Sequence, residues 1–397
     1  MPESALQPAV GFKNVREPPR PRIALFTGAY NHIADGVSLT LNRLVRYLET
    51  HRYSVRVFAP TVPEPQLRHA GTLLPAWSIP APGRPEYRLS LGLSPAARRA
   101  LTRFDPDLFH IATPDLLGHQ ALVLARRSNK PVVASYHTHF SSYLSYYGLS
   151  GLETPLWWAL RRFYSRCDQI YVPTPSMAET LRQHGIREGL QLWPRGVDTE
   201  RFTPAKRSLA WRRAHGLADD EPVLLFVSRL VWEKGLETLA TVRERLQARG
   251  VPHRSVVVGD GPAGAKLRAR LGDTVFTGRL EGDELATAYA SADLFLFPSD
   301  TETFGNVVLE AMASGLAAVC ANATGSRDLV TPGVTGYLAA PGDSAAFAEA
   351  TAALLLDPAR RDTFATAALT RAQAYDWDAV LARVAGYYEQ VLAGQPK

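Results

Sequence analysis

The sequence predicts an α/β protein of two doubly wound parallel-sheet domains, on three observations. At 397 residues the chain is too long for one ordinary core and suits two of roughly 200 residues each. Short apolar runs of strand length alternate with longer segments of helical spacing in both halves, as crossover connections in a parallel sheet require. The clearest such unit is Leu294–Phe297, closed by Pro298, with Glu302 in the loop beyond it and Glu310 in the helix that follows. Open sheets of this kind bind ligands at the carboxyl ends of their strands.

Taken in order, proline-rich residues 1–20 read as a flexible segment and residues 21–200 as the first domain. Ile23–Phe26 is a short strand and Thr27–Asp35 a polar loop, after which Val37, Leu41, Leu44, Val45 and Leu48 recur at helical spacing. Ser54–Phe58 completes a βαβ opening. No G-x-G-x-x-G follows the first strand, which argues against a dinucleotide dehydrogenase. Gly36 at the helix start lets a phosphate approach the backbone amides, or serves only the turn. Residues 60–93, rich in Pro and Gly, read as loop with little regular structure. Leu108–Ala112 is a strand, Leu116–Arg127 a helix, and Pro131–Tyr136 a strand ending in His137-Thr-His139. Asp105-Pro-Asp107 imitates a D-x-D metal motif but precedes a buried strand as a turn does. Across 140–166, Tyr143, Tyr146, Tyr147, Trp157 and Trp158 interleave with Arg161, Arg162 and Arg166. That stretch is either a helix packing aromatics inward or an interfacial surface facing anionic lipid. Gln169–Val172, a helix from Pro175 and Gln191–Trp193 close the domain, and Arg195-Gly-Val-Asp198 with the polar run to Arg207 is the linker.

Residues 201–375 repeat the alternation as a second domain. Val223–Val227 leads into Ser228-Arg229 and Lys234-Gly235, two cations and a glycine at a strand-to-helix turn that make an anion pocket. Ser255–Val258, Val275–Gly278, Leu294–Phe297 and Ala317–Cys320 are the further strands, and Gly259-Asp-Gly-Pro262 follows the first of them. The amides of Phe304, Gly305 and Asn306 stand free at a helix start. Asn306, Glu310 and Ser314 recur every four residues, so spacing alone leaves two readings. The glutamates are either part of a solvated helix and its start, or acceptors for the hydroxyls of a bound sugar nucleotide. Residues 376–397 open on Asp376-Trp377-Asp378 and run as an apolar-periodic helix through Val391.

The totals narrow the class. With 46% hydrophobic and 21% charged residues, the composition is that of a globular protein. The net charge of +6 is uneven: residues 1–205 hold 24 Lys and Arg against 15 Asp and Glu, and residues 206–397 hold 20 against 23. A basic first half suits an anionic partner such as a phospholipid surface. Cys167 and Cys320 are far apart without metal-ligand spacing, so reduced structural thiols in the cytoplasm are expected. There is no apolar secretory segment near the start and no run long enough to span a membrane.

Glu302 and Glu310, seven residues between them, resemble the paired-glutamate motif of retaining glycosyltransferases of the GT-B fold. Ser228-Arg229 to Lys234-Gly235, Gly259-Asp-Gly-Pro262 and Glu310-Ala-Met-Ala-Ser-Gly315 follow in the order of family 4, whose second domain is the glycosyl transferases group 1 domain. The resemblance runs from about residue 22 to 392. In the first domain, Ser135-Tyr-His-Thr-His139 and Leu192-Trp to Arg195-Gly-Val-Asp198 look like the subgroup of sulfoquinovosyl-diacylglycerol synthases and bacterial lipid α-mannosyltransferases.

The resemblance implies two Rossmann-like domains facing a cleft, with the C-terminal helix crossing back to the first. It implies retaining, metal-independent transfer of a hexose from GDP-mannose or a UDP-sugar to an acceptor hydroxyl, on a membrane glycolipid, with no cofactor beyond the donor. Arg229 and Lys234 match the cations on the donor diphosphate, Glu310 the carboxylate on the ribose, and Glu302 the one beside the sugar hydroxyls. Phe304, Gly305 and Asn306 match the loop whose amides face sugar and phosphate, and His137 the histidine near the reacting carbon. Catalysis is thus expected from His137, Glu302, Arg229 and Lys234. Gly36 matches the second glycine of a pair beside the phosphates, with Asp35 in place of the first and able to face the acceptor instead. Expected partners are the nucleotide sugar, a lipid acceptor and an anionic membrane surface, without nucleic acid, and the expected location is the inner face of the cell membrane. The alternatives are a non-hydrolysing sugar-nucleotide epimerase of the same fold and a transferase for soluble glycans or small molecules. A phosphorylase would need a late pyridoxal-phosphate lysine, and the last lysine before Lys397 is Lys266.

Overall fold

The computed structural model describes residues 20–81, 84–136, 153–302 and 304–394. The first sheet contains β1 (Arg22–Phe26), β2 (Ser54–Ala59), β3 (Thr72–Ala81), β4 (Arg84–Leu93), β5 (Leu108–Ile111), β6 (Val132–Ser135), β7 (Gln169–Val172) and β8 (Leu190–Leu192). Their order is β4-β3-β2-β1-β5-β6-β7-β8, parallel throughout except for the antiparallel β3–β4 pair. Its helices are α1 (Gly36–Thr50), α2 (Pro95–Phe104), α3 (Leu116–Arg127), α4 (Glu153–Tyr164) and α5 (Pro175–Gln183).

The second sheet contains β9 (Val223–Val227), β10 (Arg254–Val258), β11 (Val275–Gly278), β12 (Leu294–Phe297), β13 (Ala317–Ala321) and β14 (Gly336–Ala339). It is parallel throughout in the order β11-β10-β9-β12-β13-β14. With it go α6 (Leu209–Ala214), α7 (Leu236–Ala248), α8 (Gly264–Arg270), α9 (Gly282–Ala290), α10 (Asn306–Ala313), α11 (Ser326–Leu329), α12 (Ser344–Leu355) and α13 (Pro358–Gln373), and α14 (Trp377–Leu392) ends the chain.

The strands form where unbroken apolar runs can be covered on both faces. Every residue of β9, β12 and β13 is buried. Side-chain caps set the helix starts: Asp35, Asp115 and Thr174 accept from backbone amides at the starts of α1, α3 and α5. In each sheet the strand order reverses once, beside β1 in the first and beside β9 in the second, so the connections part there and leave a crevice at the carboxyl ends. The two carboxyl edges face one another. Ser176, just beyond β7, hydrogen-bonds through both its amide (3.2 Å) and its hydroxyl to Asp328, beyond β13.

The expected C-terminal crossing is present. Val380, Leu381, Val384 and Tyr388 of α14 join α1 in the apolar layer over the first sheet. Tyr53 donates to Glu389 at 3.2 Å, and the buried His110 ring meets Tyr388 Oη at 2.5 Å. The return of the chain is locked at Gly196, where a Cβ would lie 2.4 Å from the Trp377 indole.

Two sequence expectations need comment. Residues 72–81 and 84–93 are not irregular loop but the antiparallel strands β3 and β4 of a long hairpin. Pro75 and Pro80 of β3 and Pro85 of β4 stand where the strand has a neighbour on one side only, so missing N–H groups break no ladder on a second side. In α4, Trp157, Leu160, Phe163 and Tyr164 are buried while Arg161, Arg162 and, just beyond the helix, Arg166 are exposed, which is the packed-helix reading. Trp158 alone among its large apolar residues faces out, with the Arg162 guanidinium 5.8 Å from its ring. Residues 143–152 and the segment 1–19 lie outside the described residues.

Candidate active site

The loops after β9 and β12 flank the reversal point of the second sheet and carry most of the expected site. Gly235, with φ +74°, ends the turn after β9 and begins α7, and a Cβ there would be 2.6 Å from the Pro298 carbonyl oxygen. Glycine therefore lets the two loops touch. Across that contact Lys234 Nζ lies 2.5 Å from Glu302 Oε1 and 3.4 Å from Thr301 Oγ1. Both members of the ion pair are largely shielded yet reach the surface. Arg229, on the same turn, is exposed, and its guanidinium makes no hydrogen bond or ion pair with another described residue. A cation left open beside a neutralised one is an arrangement that waits for an anion.

The start of α10 adds donors. Gly305 precedes it in a left-handed conformation with no side-chain cap, so the first amides of the helix, from Asn306 on, have no side-chain acceptor. Asn306 is exposed while Phe304 is buried against Tyr375. The loop is seated on Gly325 (φ +89°), where a Cβ would lie 2.9 Å from the Phe304 carbonyl carbon and 3.1 Å from the Glu302 carbonyl oxygen.

One turn along α10, Glu310 is not a fully solvated surface charge. Its Oε2 accepts from the buried Tyr289 phenol at 3.0 Å, and burial pushes its carboxyl up to about 7. Ser314, the next residue of the supposed wet stripe, is buried. Only Asn306 of that stripe is exposed; Glu310 is partly covered and carries the Tyr289 phenol of α9.

In the first domain, Gly36 is the first residue of α1, exposed, and a Cβ there would meet nothing within 4 Å. The protein's own packing therefore does not demand a glycine at this position. Asp35 is the cap of α1, its Oδ1 accepting from Ser38 N at 2.8 Å, so one of its oxygens serves the helix. Sequence reasoning passed over Arg195 as linker. Its guanidinium donates to Thr40 Oγ1, whose hydroxyl in turn donates to the Gly36 carbonyl oxygen at 2.7 Å, and burial pushes it down to about 10. A cation thus stands one turn from the open start of α1. The signal in the sequence was Arg195-Gly-Val-Asp198 itself, which carried the first domain's resemblance although no role was given to its arginine. His137 lies outside the described residues.

The aspartates resembling a metal motif are engaged elsewhere. Arg22 bridges Asp107 at 3.0 Å and Asp105 at 3.1 Å, and Lys130 reaches Asp105 at 3.3 Å, all at the opposite edge of the first sheet. A shallow depression on that edge, lined by Arg126, Lys130, Asp168 and Val391, has its charges paired internally and is remote from the crevice.

Two doubly wound sheets meeting at their carboxyl edges, with an open arginine, a paired lysine and two shielded carboxylates at the reversal point, define the class: a GT-B glycosyltransferase. Residues 34–201 match Glycosyltransferase Family 4 and residues 208–371 match Glycosyl transferases group 1, and the chain belongs to this family. It is 35% identical over 378 residues to a GDP-mannose-dependent α-mannosyltransferase of Mycobacterium tuberculosis, covering 93% of this chain and 97% of that one. It is 35% identical over 373 residues to a sulfoquinovosyl transferase of Arabidopsis thaliana, covering 91% of this chain and 72% of the relative. Among solved structures, a sucrose-phosphate synthase from Thermosynechococcus elongatus superposes with a TM-score of 0.75 at 22% identity, covering 95% of this chain and all of the other. The protein is a hexosyltransferase that uses nucleotide sugars.

Proposed function

We propose that the protein is a retaining, metal-independent transferase that moves a hexose from GDP-mannose or a UDP-sugar to a hydroxyl of a membrane glycolipid. The observation that carries this reading is the Lys234–Glu302 pair at 2.5 Å beside the Arg229 guanidinium, which has no partner among the described residues. As the glycosidic bond breaks, negative charge builds on the departing diphosphate, and fixed cations in a closed crevice stabilise it without reorganising. Lysine has three N–H donors, so Lys234 can hold Glu302 and still reach a phosphate oxygen. Arg229 adds its planar fork of donors, and the uncapped starts of α7 and α10 add helix-dipole charge.

Lys234 fixes one oxygen of Glu302, which leaves the other to accept from the sugar's hydroxyls. Glu310, with one oxygen on Tyr289, offers its other oxygen to the ribose. In a retaining transfer the acceptor oxygen attacks the face that the diphosphate leaves, and a diphosphate oxygen takes the acceptor's proton. GDP-mannose is the first donor to test, because mannosyltransferases dependent on it match this chain along nearly their whole length. The lipid acceptor is supported by similarity to an α-monoglucosyldiacylglycerol synthase of Streptococcus pneumoniae and a phosphatidyl-myo-inositol mannosyltransferase of Mycobacterium leprae.

The test is release of nucleoside diphosphate from GDP-mannose and UDP-sugars, with excess chelator, in the presence of detergent-dispersed lipids or soluble glycans, followed by the anomeric configuration of the product. An α-linked glycolipid formed in chelator is expected. A β-linked product, or activity that chelator abolishes and Mg²⁺ restores, would overturn the retaining or the metal-independent part respectively. Donor epimerisation without transfer would overturn the whole reading.

A further inference from the structure

We propose that the exposed face of the β3–β4 hairpin docks the protein on an anionic phospholipid bilayer. β3 pairs with β2 only as far as Pro75, opposite Ala59, the last residue of β2. Beyond that point it continues past the carboxyl edge of the sheet with β4 as its partner, so the hairpin projects on the same edge as the crevice.

The two faces of the hairpin differ. Ala76 and Ser90 are buried, and Arg88 ties the strands by donating to Ser78 Oγ at 2.8 Å and to the Ser78 carbonyl at 3.0 Å. Side chains of the other parity stand in water: Trp77 is 56% exposed, Ile79 46%, Leu89 48% and Leu91 46%. Ile79 and Leu89 are directly paired across the strands, so the four form one patch. Edge strands are ordinarily protected by charge, and a continuous apolar patch on one marks a contact surface.

Charge selects the occupant. Residues 61–103 contain six arginines and two glutamates, with no lysine or aspartate. Arg68, on the loop leading into β3, and Arg98 and Arg99, in the first half of the helix that follows β4, are exposed. A second copy of this chain would bring the same arginines against these. A bilayer with anionic headgroups matches both features, with Trp77 and the leucines at headgroup depth and the arginines on the phosphates. Among the described residues no helix is long and apolar enough to cross a membrane, so docking of this kind would be peripheral.

The proposal deepens the lipid-acceptor reading, and its test separates the two. Wild type and a Trp77→Ser/Leu89→Ser double variant are sedimented with phosphatidylcholine vesicles, with and without phosphatidylglycerol. Leu91→Cys is labelled with an environment-sensitive dye, since Cys167 and Cys320 are both buried. Expected are binding of wild type to the anionic vesicles, a loss of about tenfold or more in the double variant, and a blue shift of the dye. The double variant keeps its activity toward detergent-dispersed acceptor, which shows that it is folded. Equal vesicle binding by wild type and variant, an unshifted dye, or a dimer in solution that the double variant abolishes would each overturn the docking surface. Hairpin-dependent binding by a protein that glycosylates only soluble acceptors would keep the docking surface and sink the lipid-acceptor reading.

Discussion

At the scale of single residues, the two cations after β9 have unequal surroundings and should fail unequally. Arg229→Ala removes an open charge and nothing else, so kcat should fall by about 10²–10³-fold, the usual effect of losing one donor to a developing anion. Lys234→Ala also leaves Glu302 without its partner, and its loss should exceed that of Arg229→Ala. Near wild-type rates in both variants at saturating donor would remove the diphosphate assignment. The glutamates separate by kinetics. Glu302→Gln should lower kcat more than it raises KM, because contacts to the transferred sugar tighten as charge builds at its anomeric carbon.

Glu310→Gln should mainly raise the donor KM, and pH gives a second readout. Burial holds the Glu310 carboxyl up to about 7, so the acceptor form is lost as pH drops through neutrality. Donor KM should therefore climb below about pH 7 in wild type and be flat in Glu310→Gln. A wild-type KM that does not change from pH 8 to 6 would exclude an ionised Glu310 from donor binding. For stability the sign is opposite. A carboxyl raised by folding contributes stability that is complete below its unfolded value and lost as pH rises through about 7.

At the scale of elements, the site depends on two loops held in contact by glycines. Gly325 is in a left-handed conformation with the Phe304 and Glu302 backbone against it, so Gly325→Ala meets both torsional strain and a clash. A residue forced into such a region costs about 1–3 kcal/mol. We expect a lower Tm in thermal denaturation and a weakened donor response, because the loop bearing Glu302 and the amides at the start of α10 must shift. A variant with unchanged Tm and unchanged donor affinity would show that this loop is not seated as described.

At the scale of the whole molecule, the two sheets are joined across the crevice by Asp328. It accepts from the amide and hydroxyl of Ser176, while its carbonyl accepts from Arg371 at 2.8 Å. The other junction, where Val197 donates to the Tyr375 carbonyl at 2.8 Å and Thr199 to Asp376 at 2.9 Å, lies at the chain crossings and acts as the hinge side. Asp328→Ala should open the crevice about those crossings, giving a larger radius of gyration in small-angle scattering and a higher donor KM. Saturating donor should restore the wild-type radius by bridging the two edges. An unchanged radius without donor would mean that Asp328 does not hold the domains together.

The sequence by itself determined most of the second domain and where its candidate site residues would fall. Buried parallel strands must be continuous apolar runs, and loops that bind at their ends must carry glycine and charge, so both signals are local. Leu294–Phe297 emerged as β12 with the bounds expected, and Arg229, Lys234, Glu302, Phe304, Gly305, Asn306 and Glu310 all lie around the reversal point beside β9. Tertiary structure decided what depends on distant partners. The raised carboxyl of Glu310 depends on burial by elements distant in sequence, with the Tyr289 phenol, a helix away, partly offsetting it, and the ion pair of Lys234 depends on a contact with Pro298 that no spacing reveals. Arg195 became a half-buried cation beside α1 only because the chain crosses between sheets there. The β3–β4 hairpin was hidden for a related reason. Prolines that would break a central strand are harmless on one with a free edge, and only the assembled sheet shows which strand that is.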